Sequence, residues 1–179
     1  MKNLIPFFAL MITLFLGFSA CTTRYYIVRH AEKNEGVDAP APNGPSLTAA
    51  GKLRALALRD SLKNKNVTRI FVSQYLRTQL TADASAGEFH ITPTPYNRDA
   101  AIETLAAQLR AVDGNTLVVG HSDIVPALIL ALTGTSLGYD RIPDDDFDNF
   151  FIVKRYKGLG PVTYTLERRG TYGAISPNP

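Results

Sequence analysis

Two short apolar runs, Tyr25-Tyr26-Ile27-Val28 and Thr116-Leu117-Val118-Val119, constrain this chain more than any other feature. The first is a short β-prone run, and the second is a continuous apolar strand typical of a sheet covered on both faces, as in a parallel sheet between helical layers. A third β-prone run, Thr68–Val72, lies between them. Between the runs the period becomes helical. Thr48 is a candidate N-cap, with Leu53, Ala57, Leu58 and Leu62 on one face. Further helices are expected over Tyr75–Ala86, over Asp99–Val112 with Ile102, Leu105, Ala106 and Leu109 inward, and from about Asp123 to Leu132. Ile91–Tyr96, which holds two prolines, predicts an edge strand or an extended segment. Phe150–Val153 and Val162–Leu166 predict a closing pair of strands, and the tail from Gly170 is predicted to fray. The alternation of strand and helix predicts an α/β fold, a three-layer α/β/α sandwich with a largely parallel central sheet.

The first 20 residues do not fit that pattern. Met1-Lys2-Asn3 is followed by an apolar stretch from Leu4 to Phe18 and then Ser19-Ala20-Cys21. A charged start, an apolar centre and small residues before a cleavage point read as an export signal; the stretch is short and poorly flanked for a membrane span. Cys21 is the single cysteine, so no disulfide framework exists to be read. Gly17-Phe18-Ser19-Ala20-Cys21 resembles a bacterial lipoprotein signal, with Phe18 as the departure from the usual aliphatic residue. That resemblance implies lipidation of Cys21, export, and tethering to a membrane surface of a bacterial envelope. Residues 21–179 are then one domain, long enough for one sizeable core.

Charge excludes one class of partner. The chain carries 19 Lys and Arg against 16 Asp and Glu, a net charge of +3 with Lys2 inside the leader. No basic stripe of the kind nucleic acids demand is present; Arg54, Arg59, Lys63 and Lys65 are expected on a solvated helix face and the loop after it.

Catalytic groups in an open α/β sheet gather beyond the carboxyl ends of its strands. Three polar signals stand there: Arg29-His30, Ser73 with Arg77, and His121. An imidazole with an ordinary pKa of about 6.5 is a ready nucleophile near neutrality. Two guanidiniums offer planar forks to phosphate oxygens, and a second imidazole offers one more donor. Such a set can stabilise charge on a phosphoryl group in transfer.

The motifs around these residues carry a family resemblance. Arg29-His30-Ala31-Glu32-Lys33 is similar to the Arg-His-Gly-Glu signature of the histidine phosphatase superfamily, which includes the phosphoglycerate mutases. Leu47-Thr48-Ala49-Ala50-Gly51-Lys52-Leu53-Arg54-Ala55, Ser73-Gln74-Tyr75-Leu76-Arg77-Thr78 and Val119-Gly120-His121-Ser122 resemble further family segments in the family's order. The resemblance implies the phosphoglycerate mutase-like fold and phosphomonoester hydrolysis, with His30 as the nucleophile that becomes phosphohistidine. Arg29, Arg77 and His121 would complete the phosphate site, with no metal and no cofactor. The implied partner is a small phosphorylated substrate or a phosphoprotein. Ser73 is expected to support the turn before Arg77 and Glu32 to position its loop, while His90 lies outside the motifs.

The proton donor to the leaving group is the open point. Asp99 and Glu103 occupy the segment where one class of relatives keeps its acid, and Asp123 lies two residues beyond His121; helix capping competes for Asp99 and Asp123. Other classes fit less well. Gly120-His121-Ser122 resembles the start of a serine-hydrolase elbow, but Ile124 stands where the second glycine belongs. Three scattered histidines lack metal-ligand spacing. A mutase is chemically adjacent, and export suits hydrolysis better. The non-enzymatic alternative is a lipoprotein that binds an anionic ligand or a partner on the same scaffold.

Overall fold

The computed structural model describes residues 21–35, 44–158 and 160–176. Residues 1–20, expected to be an export signal, and the middle of the loop after Asn34 lie outside the described residues. In chain order the elements are β1 (Cys21–Arg29), α1 (Ala49–Leu62), β2 (Val67–Ser73), α2 (Leu76–Phe89), β3 (Thr94–Tyr96), α3 (Ile102–Ala111), β4 (Asn115–Gly120), α4 (Ile124–Thr133), β5 (Asn149–Lys157) and β6 (Thr163–Thr171). They form a mixed sheet in the order β3-β2-β4-β1-β5-β6. β1, β2, β3 and β4 pair in parallel, while β5 runs antiparallel to β1 and β6 antiparallel to β5. The proline-bearing β3 takes the edge, where a missing N–H costs no ladder bond.

Successive strand residues point to opposite faces, so each uninterrupted apolar run feeds two cores. Tyr25, Ile27, Phe71 and Val118 meet Leu105 and Leu109 of α3 and Leu128 and Ile129 of α4 on one face. Tyr26, Val28, Ile70, Val72, Leu117 and Val119 meet Leu58 and Leu62 of α1 and Ala82 of α2 on the other. Truncating a fully buried leucine such as Leu58 or Leu128 to alanine should cost ~2–5 kcal/mol. The three expected layers are therefore present. No helix among the described residues is long and apolar enough to cross a membrane.

Helix α1 corrects two expectations. Thr48 caps it, its hydroxyl accepting from Gly51 N at 3.0 Å, but the inward face holds Gly51, Arg54, Ala55, Leu58 and Leu62. Leu53 is 68% exposed and Arg54 only 5%. The cause is Gly51: a Cβ there would sit 2.2 Å from the Glu32 carbonyl oxygen. The helix can press against the strand-end turn only at a glycine, and that contact turns Arg54 inward. Arg54 is thus a buried cation, not part of a solvated face. Its Nη2 lies 2.7 Å from a Glu32 oxygen, and its Nη1 donates to the carbonyls of Tyr172 and Ala174.

Those two carbonyls bear on the third correction. The segment after Gly170 does not fray up to Ser176: β6 runs to Thr171, and Tyr172 and Ser176 are buried. Tyr172 N donates to Asp148 O, Ser176 N to Asp148 Oδ2, and Phe147 N to the Ser176 hydroxyl.

Candidate active site

Parallel register brings the strand ends level. Arg29 stands opposite Gly120, Val72 opposite Val119, and Ser73 opposite Tyr96. Arg29, His30, Ser73 and His121 therefore share one edge of the sheet, and the start of α2 adds Arg77.

The turn that carries Arg29 and His30 is held by backbone and by both neighbouring helices. His30 N donates to Gly120 O at 2.9 Å, Ala31 N to the Thr81 hydroxyl at 2.9 Å, and Thr48 N to Glu32 O at 2.9 Å. Arg54 clamps the Glu32 carboxylate with short bonds from Nε and Nη2. Glu32 thus positions the loop, as expected.

Within this frame His30 is buried, and its Nδ1 lies 2.8 Å from Ala31 O. A carbonyl only accepts, so Nδ1 carries the hydrogen and Nε2 keeps its lone pair. Burial, then the cations Arg29, Arg77 and Lys33, hold the ring neutral, with a pKa lowered to about 3 despite the opposing Ala31 bond. His121 is also buried, with its ring centroid 5.4 Å from that of His30. Burial, followed by His30, Arg77, Arg98 and Arg29, lowers it to about 2. Both rings are uncharged at ordinary pH.

Each histidine is matched with an arginine and an aromatic ring. Arg29 Nη1 donates to Pro143 O at 2.6 Å and Asp146 O at 3.0 Å, and its guanidinium stacks 4.2 Å from the Phe147 ring. Arg77 Nη2 lies 3.2 Å from His121 Nδ1, and its guanidinium stacks 4.4 Å from the Tyr75 ring. Among the described residues, the buried Nε atoms of both arginines have no hydrogen-bond partner. A buried donor left unpaired costs about 1–3 kcal/mol, so two at one place mark a site shaped for an acceptor-rich ligand. Desolvation lowers both guanidiniums from their usual value, yet an arginine in a protein keeps its charge. Asp144 Oδ1 lies 3.6 Å from Arg29 Nη2.

The acid candidates are engaged with other partners. Asp123 caps α4 through Ile124 N and accepts from Arg98 Nη2 at 2.6 Å. Asp99 accepts from Gln74 and Arg98 and is 59% exposed at its side chain; it does not cap α3, which begins after Ala101. Glu103, within α3, pairs with Arg110. Among the described residues no group of His, Cys, Asp and Glu is arranged to hold a metal ion. Cys21 is at the opposite end of β1, where its backbone pairs with Lys157.

Several contributors carry no local sequence signal. Phe147 and the carbonyls of Pro143 and Asp146 reach Arg29 across more than 110 residues. Ser73, expected only to support a turn, also bonds His121 at 2.8 Å, and Thr78 bonds Ser73 at 2.9 Å.

The family model of the histidine phosphatase superfamily, branch 1, matches residues 25–101. No curated protein matches the chain. Solved structures align over most of its length. One from Nakamurella multipartitia, described as the phosphohistidine phosphatase SixA, has a TM-score of 0.65 at 20% identity, covering 87% of this chain and 98% of that one. A protein histidine phosphatase SixA complexed with tungstate has a TM-score of 0.62 at 18% identity, covering 83% and 96%. A mycobacterial glucosyl-3-phosphoglycerate phosphatase has a TM-score of 0.61 at 13% identity, covering 82% and 97%. At these identities the structures speak for the fold, while the family match falls on the segment that holds Arg29, His30 and Arg77. Over residues 25–101 the chain is therefore similar to the histidine phosphatase superfamily, branch 1, and its fold is shared with these solved structures.

Proposed function

We propose that this protein is a phosphatase that cleaves phosphomonoesters or related phosphoryl compounds through a phosphohistidine at His30. The observation that carries the reading is the tautomer of His30: Nδ1 is committed to Ala31 O, so Nε2 is an unprotonated nucleophile beside two buried guanidiniums with unpaired Nε–H groups. In the first step His30 Nε2 forms a bond to phosphorus as the bond to the leaving group breaks, and the leaving atom takes a proton. In the second step water attacks phosphorus, the P–N bond breaks, and phosphate departs. Arg29, Arg77 and His121 stabilise the charge on the phosphoryl oxygens in both steps.

The acid bears on the substrate. Asp99 and Asp123 are engaged with Arg98, and Glu103 with Arg110. That arrangement favours leaving groups that need no proton from the protein, such as an aryl phosphate or a phosphohistidine whose far ring nitrogen has already taken one from solvent, over alkyl phosphates of sugars or lipids. Phosphohistidine is also what the SixA structures are named for. The same arrangement gives some support to the alternative of a non-catalytic anion- or partner-binding lipoprotein. Export and tethering through a lipid on Cys21 remain part of the proposal, supported by residues 1–21 of the sequence; release of the protein from membranes by Cys21→Ala tests them.

Rapid quench of the enzyme during turnover of a phosphorylated-histidine peptide and an aryl phosphate tests the chemistry. A base-stable, acid-labile phosphoenzyme is expected. Turnover without one sinks the covalent route, and tight binding without turnover favours the binding protein.

A further inference from the structure

The hydrogen bonds around His121 determine which of its nitrogens carries the hydrogen, by two independent routes. Thr78 Oγ1 lies 2.8 Å from Tyr75 O and 3.2 Å from Ser73 O, and carbonyls only accept, so the Thr78 hydroxyl donates to backbone. Toward Ser73 Oγ, 2.9 Å away, Thr78 can then only accept, so the Ser73 hydrogen points at Thr78. Tyr75 N donates to Ser73 Oγ at 3.3 Å, which leaves the serine oxygen only an acceptor toward His121 Nε2 at 2.8 Å. Nε2 therefore bears the hydrogen. From the other side, Arg77 Nη2 has only hydrogens to offer and lies 3.2 Å from Nδ1, so Nδ1 holds a lone pair. Both routes give the same neutral tautomer.

That tautomer is wrong for a phosphoryl oxygen, which accepts and does not donate. The buried Ser73–Thr78 chain keeps the Nε2 hydrogen in place, so Nδ1 can become a donor only by gaining a hydrogen. We infer that the site takes up its phosphoryl ligand together with a proton, which lodges on His121 Nδ1 while Arg77 turns from that nitrogen to the ligand. The proton arrives on a monoanionic ligand or, with a dianion, from solvent; the ring becomes an imidazolium donating from Nδ1 to the ligand and from Nε2 to Ser73. The inference rests on the proposed phosphoryl site at Arg29, Arg77 and His121.

The surroundings explain why the proton waits for the ligand. His121 feels Arg29 and His30 at the end of β1, Arg77 at the start of α2 and Arg98 after β3, and its ring meets that of Tyr75 edge-on; Tyr96 of β3 and Asp123 at the head of α4 lie close to Arg77 and Arg98. Tyr96 is neutral, with a phenol raised by burial, and Asp123 is paired with Arg98. The net field is cationic, and burial adds to it. A tetrahedral anion reverses that balance.

Tungstate is the probe, because at neutral pH it is a fully deprotonated dianion and any proton taken up must be bound by the protein. Titration calorimetry in buffers of different ionisation enthalpy should show uptake of about one proton per tungstate bound, with affinity falling about tenfold per pH unit between about pH 7 and 9. The uptake should survive His30→Asn and vanish in His121→Asn. In Ser73→Ala the Nδ1–H tautomer opens to the ring, and uptake should fall well below that of the wild type; Thr78→Val should do the same with the serine retained, and Thr78→Ser should restore it. Tungstate binding with pH-independent affinity and no proton uptake overturns the inference and leaves the phosphoryl site standing. No tungstate binding at all overturns the site, and this inference with it.

Discussion

The site is built from two sets of the same parts: Arg29, His30 and Phe147 on one side, Arg77, His121 and Tyr75 on the other. In each, a guanidinium stacks on an aromatic ring and a neutral imidazole sits alongside. They differ in what holds the imidazole. His30 is fixed by main chain, through Ala31 O on its ring and Gly120 O on its amide. His121 is fixed by side chains, Ser73 on one nitrogen and Arg77 on the other. The backbone-held ring suits a nucleophile whose direction of attack must not vary. The ring held by side chains can change partners when a ligand arrives.

The histidines offer the sharpest break in this comparison. His30→Ala should reduce turnover of an aryl phosphate to background and leave no phosphoenzyme. His121→Ala should slow turnover by about 10²–10³-fold, with the phosphoenzyme still trapped on His30. Equal, complete loss in both variants would erase the distinction between attacking and stabilising rings.

The arginines separate next. Lysine keeps the charge but not the fork, so Arg29→Lys and Arg77→Lys should each lower kcat/KM on the order of tenfold to a hundredfold. Only Arg29→Lys should also destabilise the fold, by about 1–3 kcal/mol, because the Pro143 and Asp146 carbonyls lose their donor. Urea denaturation midpoints of the two variants measure that difference; equal midpoints would mean the carbonyl cradle contributes nothing.

The smallest expected effect is on stability against pH. Both histidines have folded-state pKa values below the unfolded value of about 6.5. The unfolded chain therefore binds protons the folded chain refuses as pH drops below about 6.5, and each ring removes up to about 1.4 kcal/mol per pH unit. Stability attributable to either ring is full above that pH and declines below it, toward the folded values. His121→Asn should flatten the acid side of the stability profile by that amount relative to wild type, and an unchanged slope would show that the ring is charged in the folded state.

How far this was readable from sequence depended on the span of the contacts. The strand runs, the helix after each and the residues at the strand ends are local patterns, and from them the layers and the meeting of Arg29, His30, Arg77 and His121 at one sheet edge could be anticipated. For Leu53 and Arg54 the helical period alone cannot tell which face approaches a turn; the discriminating residue is Gly51, whose missing Cβ admits the Glu32 carbonyl. The Tyr172–Ser176 segment looked like a loose end because what holds it, Asp148 and Arg54, lies on other elements far away in the chain. Phe147, too, is held against Arg29 by a contact distant in the chain and so carries no local sequence signal.

One strand joins the two ends of this molecule: β1 starts at Cys21 and finishes at Arg29. At about 3.3 Å per residue it works as a spacer of about 26 Å. A protein held by its Cys21 end would carry its reaction centre at that height, pointing outward from the point of attachment. With β1 upright on the proposed lipid at Cys21, headgroups of the same bilayer would lie beneath the proposed reaction centre, while phosphoryl groups on diffusing molecules would meet it face on.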